Sequence, residues 1–210
     1  MRLVVISDTH GAHEELGELQ GDVLIHCGDF ESIFESDPQI VEKVDDWFAR
    51  QRFGRIYCVG GNHDEELERR VALTDQPFKN AIWLHERRDM FRGYCFYGAS
   101  WVPYLRDFPF FADADALEAA WARIPGDVDV LMTHTPPKDV LDVSSKGQSL
   151  GCPHLAERLK QVAPGLHCFG HVHKSRGETT VGATRYVNAT SVSSGFASVL
   201  PPFVVDLPDR

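Results

Sequence analysis

Two histidines one residue apart, in Gly170-His171-Val172-His173, follow the apolar run Leu166-His167-Cys168-Phe169. A short apolar run that stops at glycine reads as a buried strand handing its next residues to a turn. Imidazoles on alternate positions point the same way, and neutral imidazole is the commonest nitrogen ligand for transition metals. Taken alone, such a pair is as much a polar edge or turn as a metal site. Four upstream runs end in the same manner. Leu3-Val4-Val5-Ile6 delivers Ser7-Asp8-Thr9-His10, and Val23-Leu24-Ile25 delivers His26-Cys27-Gly28-Asp29. Ile56-Tyr57-Cys58-Val59 delivers Gly60-Gly61-Asn62-His63-Asp64, and Val128-Asp129-Val130-Leu131-Met132 delivers Thr133-His134. Ligands of open α/β sheets bind at the carboxyl ends of strands, so these groups are expected to converge on one edge.

The converging set contains Asp8, Asp29, Asn62 and the imidazoles of His10, His63, His134, His171 and His173. Mixed nitrogen and oxygen donors suit Mn, Fe, Zn or Co and are poor for a cysteine-type structural zinc. The set also exceeds what one ion needs. Two ions about 3.5 to 4 Å apart, bridged by a carboxylate and a hydroxide, suit in-line displacement at phosphorus.

The elements that must position these residues alternate between strand and helix. A helix is predicted from Asp37 as N-cap and Pro38 at its first position, with Ile40, Val41, Val44, Trp47 and Phe48 on one core-facing stripe. Glu65 to Val71 reads as a short helix. Asp113 to Ile124 and Pro153 to Val162 read as two more, ended by Pro125-Gly126 and Pro164-Gly165. Ile82-Trp83-Leu84 and Tyr94-Cys95-Phe96-Tyr97 are short strands, with Arg87 and Arg88 in a solvated turn between them. Thr179 to Ala189 and Phe203-Val204-Val205 are closing strands, with Gly182 in a hairpin. Trp101 to Phe111 packs aromatics and prolines into a loop that could wall a pocket or cap the core.

At 210 residues, with no repeat or linker, the expectation is one α/β domain spanning 1–210. The net charge of −10 repels a polyanionic duplex and argues against nucleic acid polymer as a partner. Five cysteines, odd in number and mostly inside apolar runs, read as reduced core thiols. No stretch has the pattern of a signal peptide or the length of a membrane span, so the expected setting is cytoplasmic, with no membrane partner.

The ordered blocks Asp8-Thr9-His10, Gly28-Asp29, Gly60-Gly61-Asn62-His63-Asp64, Thr133-His134 and Gly170-His171-Val172-His173 resemble those of the calcineurin-like metallophosphoesterases. The resemblance spans residues 8 to 173 and is nearest to the branch of metallophosphoesterase-domain-containing proteins. Ile6-Ser7-Asp8-Thr9-His10, His26-Cys27-Gly28-Asp29-Phe30, Tyr97-Gly98-Ala99-Ser100-Trp101 and Asn188-Ala189-Thr190 carry that nearer match. The resemblance implies a four-layer α/β/β/α sandwich and two transition-metal ions of the Mn, Fe or Zn kind. It implies that Asp8, His10 and His173 hold one ion, that Asn62, His134 and His171 hold the other, and that Asp29 bridges them. His63 is implied to be unliganded and to serve the leaving-group oxygen.

Ser32 stands where many relatives carry a carboxylate, which leaves Asp64 or Glu31 as a substitute partner for His63. Some members of the nearer branch lack the first histidine of the last block, whereas His171 is present here. Of the remaining histidines, His26 is the one expected to line the site. Asn188 could bind substrate or fix its turn. The expected function is hydrolysis of small phosphodiesters, such as cyclic nucleotides or aryl diesters, by attack of a metal-bridging hydroxide. A phosphomonoesterase, a nuclease and a non-enzymatic interaction scaffold on the same fold are the alternatives.

Overall fold

Strands that are apolar on both faces need cover on both sides. In the computed structural model, which describes residues 1–210, two sheets and flanking helices provide it. In the first sheet β1 (Arg2–Ile6), β2 (Val23–His26), β3 (Arg55–Cys58) and β4 (Ile82–Trp83) run parallel. In the second, β5 (Arg87–Phe91) pairs antiparallel with β6 (Tyr94–Ala99), which continues in parallel through β7 (Val130–Thr133) and β8 (Leu166–Phe169). The edge strand β9 (Gly177–Val181) pairs antiparallel with β10 (Thr184–Asn188), which lies parallel to β8. The last strand, β11 (Phe203–Asp206), returns to pair antiparallel with β1. The sheet orders are therefore β11-β1-β2-β3-β4 and β5-β6-β7-β8-β10-β9.

Alternation along each strand builds the layers. Leu3, Val5, Val23 and Ile25 pack with Phe96, Val130, Met132 and Cys168 in a core between the sheets. Their neighbours Val4, Ile6 and Leu24 face outward onto Trp47 and Phe48 of α1 (Ile40–Ala49). On the second sheet Leu131 and Phe169 face Trp121 of α3 (Ala114–Ala122) and Leu155 and Leu159 of α4 (Pro153–Val162). The result is the four-layer α/β/β/α sandwich. Each large side chain buried this way contributes about 1.5 to 3 kcal/mol. All five cysteines are buried and unpaired.

Local signals held with two corrections. Asp113 caps α3 by accepting from Ala116 N, α2 runs from Glu65 to Val71, and Ala163 closes α4 in the left-handed region just before Pro164. The first correction is the start of α1, which begins at Ile40: Asp37 instead closes the preceding turn, taking Gln39 N on its carboxylate and Ile40 N on its carbonyl. The second is that Arg87 and Arg88 lie in β5, and the turn comes at Arg92-Gly93, both at positive φ. Both side chains are exposed and bridge acids, Arg87 to Asp75 and Arg88 to Asp127.

The delivering strands belong to two sheets rather than to one open sheet, and their carboxyl ends meet where the sheets are tied together. Ser7, just past β1, bridges Thr190, just past β10, and Ser191 N donates to Ser7 O at 2.7 Å. Gly170 N donates to His134 O at 3.0 Å, which joins the turns after β8 and β7.

Candidate metal centre

The turns after β1 and β8 supply one group, in which Asp8, His10 and His173 each place a ligand atom within 4.8 Å of the others. His173 Nε2 lies 3.3 Å from His10 Nε2 and 3.3 Å from Asp8 Oδ1. In a second group Asp8, Asp29 and His134 meet within the same 4.8 Å. Asn62 Oδ1 joins that group at 3.0 Å from His134 Nε2, and the His171 ring centre lies 5.1 Å from that of His134. Asp8 belongs to both groups, and Asp29 faces a histidine of each, its Oδ2 3.7 Å from His10 Nε2 and 3.4 Å from His134 Nε2. All seven sequence-named ligand candidates thus lie in one cluster. His63 flanks it, half-buried, with its ring centre 5.4 Å from that of His10 and 5.7 Å from that of Phe108.

These donors suit a transition metal, because hydrogen bonds behind the cluster aim the nitrogens. His10 Nδ1 is 3.0 Å from the Glu31 carbonyl and His134 Nδ1 is 2.8 Å from the Cys27 carbonyl. A carbonyl only accepts, so each Nδ1 carries hydrogen and each ring is left with its Nε2 facing the cluster. Asp8 and Asp29 are almost wholly buried, at 0% and 2% exposure, and face histidines rather than Lys or Arg. Such a pair of carboxylates calls for positive charge.

The backbone is strained at the same place. Asp8, His10, Asp29 and His171 have φ of 51°, 44°, 57° and 67°. Each non-glycine residue held there costs about 1 to 3 kcal/mol, and such strain clusters at functional sites. Polar bonds hold it: Asp8 takes His171 N at 2.9 Å and Thr190 Oγ1 at 3.0 Å, and Asp29 Oδ1 takes His63 N at 2.8 Å. Close approach fixes two of the motif glycines. A Cβ at Gly61 would strike Asp29 and His134, and one at Gly170 would strike Asp8 and Ser7.

Electrostatics follow from burial against pairing. Burial alone would raise Asp29, yet the adjacent His134 holds it well below the usual carboxylate range. Asp8 is held down by its bond to His173 in the same way, against burial. Burial also works against a charged His134, but the Asp29 carboxylate outweighs it and lifts that imidazole to about 9. Desolvation and the nearby His134 push His171 down to about 3. Burial lowers His63 too, with Asp29 opposing.

Several residues do other work than the sequence suggested. His26 lies behind the site: it is wholly buried, stacked on Phe30, bonded to Thr9 and accepting from Gly28 N. Asn188 fixes its turn, donating to Val172 O at 3.0 Å and accepting from Thr190 N at 3.3 Å. Neither proposed partner orients His63. Glu31 takes the amides of Glu66 and Leu67 at the start of α2, and Asp64 takes main-chain amides of the two ligand turns. The aromatic loop does both jobs offered for it. Phe110 is buried in the core with its ring 5.8 Å from that of Trp83, while Arg106, Phe108 and Phe111 wall a cavity of about 720 Å³ that Asn62 and His63 also line. Phe196, which no block singled out, lays its ring 5.2 Å from that of His10 and 5.1 Å from that of His173.

The clustered Asp, Asn and His side chains at one end of an α/β/β/α sandwich are those of a metal-dependent hydrolase class, and comparison with known proteins agrees. Residues 1–175 match the family model for calcineurin-like phosphoesterases, and the chain belongs to that family of phosphoester hydrolases. It is similar to human metallophosphoesterase domain-containing protein 1, with 33% identity over 233 residues, 99% of this chain and 71% of the relative. A UPF0046 protein of Caenorhabditis elegans is 30% identical over 225 residues, 100% of this chain and 76% of the relative. Among solved structures, phosphopantetheinyl hydrolase from Mycobacterium tuberculosis shares the fold at a TM-score of 0.66 and 16% identity, covering 92% of this chain and 90% of that one.

Proposed function

We propose that residues 1–210 act as one catalytic domain that hydrolyses small phosphodiesters with two transition-metal ions of the Mn, Fe or Zn kind. Asp8, His10 and His173 would hold one ion and Asn62, His134 and His171 the other, with Asp29 placed to serve both. The observation that carries this is the place of Asp29, one oxygen of which faces a histidine of each group at 3.7 and 3.4 Å. When bound, the ions supply electrophilic pull on the phosphoryl oxygens and activate water as the nucleophile.

The protein's own part is positioning. The carbonyls of Glu31 and Cys27 fix the tautomers of His10 and His134 from behind the cluster. His63 coordinates nothing in this scheme. It serves the leaving-group oxygen, and its lowered pKa makes its protonated form the stronger acid.

The cavity supports a small substrate. Phe34 and Phe108 offer apolar surface beside His63, and Glu35, Glu65, Glu68 and Asp107 outweigh Arg106, which disfavours a polyanion. A cytoplasmic setting belongs to the same proposal, supported by the five buried free thiols. No helix is long and apolar enough to cross a membrane.

The experiment is turnover of cyclic nucleotides, aryl phosphodiesters, phosphomonoesters, DNA and RNA at equal Mn, with and without chelator. Metal-dependent turnover fastest on the small diesters is expected. Faster cleavage of polymer would make the protein a nuclease, and no turnover of any ester would leave the scaffold alternative.

A further inference from the structure

One buried acid is left over by this scheme. Asp64 has no exposed surface and follows His63 directly, yet none of its hydrogen bonds goes to a histidine ring. Its Oδ2 accepts from Asp29 N and from Gly61 N, both at 2.8 Å. Its Oδ1 accepts from Phe30 N at 2.6 Å and Glu31 N at 3.1 Å. Three of these amides are consecutive and belong to the turn after β2. They form a concave nest, of the kind that binds anions, around Gly28 and Asp29, whose φ values are +92° and +57°. The fourth amide belongs to the turn after β3, two residues from His63. The link is reciprocal, because Asp29 Oδ1 takes His63 N at 2.8 Å.

We infer that Asp64 is a positioning residue: its carboxylate fills the nest and sets the distance between Asp29, at the centre of the cluster, and Asn62 on the neighbouring turn. This rests on the assignment of Asp29 and Asn62 as ligands. Four N–H donors need the acceptor capacity of two carboxylate oxygens. Asp64→Asn keeps the shape but replaces one oxygen by an NH2 group. Either the Asp29 and Gly61 amides or the Phe30 and Glu31 amides then face another donor, and that turn loses its hold. Loss of a partner behind a metal site typically lowers metal affinity about 10- to 100-fold.

The test compares wild type, Asp64→Asn, Asp64→Glu and His63→Ala. Mn affinity is measured by calorimetry on chelator-stripped protein shown to be folded by circular dichroism. Amide hydrogen exchange is followed on the same metal-free samples. Asp64→Asn is expected to bind Mn about 10- to 100-fold more weakly and to exchange the amides of residues 29 to 31 and 61 faster. Asp64→Glu, which keeps both acceptor oxygens, recovers most of the affinity, and His63→Ala changes neither readout. If Asp64→Asn only lowers the melting temperature and its folded form binds Mn as wild type does, Asp64 is purely structural and the inference is wrong. Should that variant not fold, metal-free wild type decides. The four amides are expected to be protected to the same degree, and fast exchange at Gly61 with slow exchange at Phe30 overturns the link. Wild type that binds no transition metal overturns the functional proposal, and this inference with it.

Discussion

Protonation of His134 makes metal binding a pH-dependent exchange. Its ring is wholly buried, with Nδ1 2.8 Å from the Cys27 carbonyl and Nε2 3.0 Å from Asn62 Oδ1 and 3.4 Å from Asp29 Oδ2. Both nitrogens face acceptors, so the imidazolium is accommodated. Although burial opposes the charge, Asp29 raises the pKa from 6.5 to about 9. A raised histidine stabilises the fold fully below its unfolded value and loses that contribution as pH climbs through its folded value. For His134 the window runs from 6.5 to about 9, and at about 1.4 kcal/mol per tenfold step the metal-free protein should lose about 3 kcal/mol across it. Metal binding runs the other way, because Nε2 must release its proton to become a ligand. Affinity should rise about tenfold per pH unit from this group, roughly 100-fold between pH 7 and 9. Calorimetry in two buffers of different ionisation enthalpy counts the proton released, and urea denaturation of chelated protein reads the stability. A flat affinity over that range with no proton release, or metal-free stability that rises with pH, refutes the reasoning.

Asp29→Asn should lose metal and activity together on every substrate. His63→Ala should keep metal and lose about 10²- to 10⁴-fold in turnover of an alkyl diester, with a smaller loss on an aryl diester whose leaving group needs no proton; equal losses on both esters would make His63 structural. Thr190→Val removes the hydroxyl that bonds Asp8 Oδ2 at 3.0 Å, and urea denaturation should show a loss of about 1 to 3 kcal/mol. A wild-type midpoint would show that the bond contributes nothing. Trp121→Ala, at 1% exposure on α3 in the core shared with α4, should cost about 3 to 5 kcal/mol by the same method.

What was legible in the sequence was local. Leu3 to Ile6 are apolar throughout, and Leu166 to Phe169 are apolar but for the buried His167, because both runs lie between layers, so their ends and the residues they deliver can be read directly. Pro153 at the start of α4 and Asp113 before α3 were equally explicit. β5 was hidden because Arg87-Arg88-Asp89 is an edge sequence whose two arginines are exposed, without an apolar rhythm to mark it. The division into two sheets was hidden as well, since buried runs look alike whichever sheet they join. The supporting bonds of the site lie furthest from view. Thr190 reaches Asp8 across 182 positions and Asp64 reaches Phe30 across 34, and only the assembled turns bring them together. In the sequence Asp64 is a neighbour of His63, which is its place in the chain. Its work is on the turn after β2, which is its place in the fold.

The central claim is that two ions share Asp29, and anomalous diffraction from crystals of active, metal-loaded protein tests it most directly. Two peaks are expected, one among Asp8, His10 and His173 and one among Asn62, His134 and His171, with Asp29 bound to both and His63 to neither. Active protein with no peak at this cluster, or with a single ion that leaves Asp29 unliganded, would contradict the account.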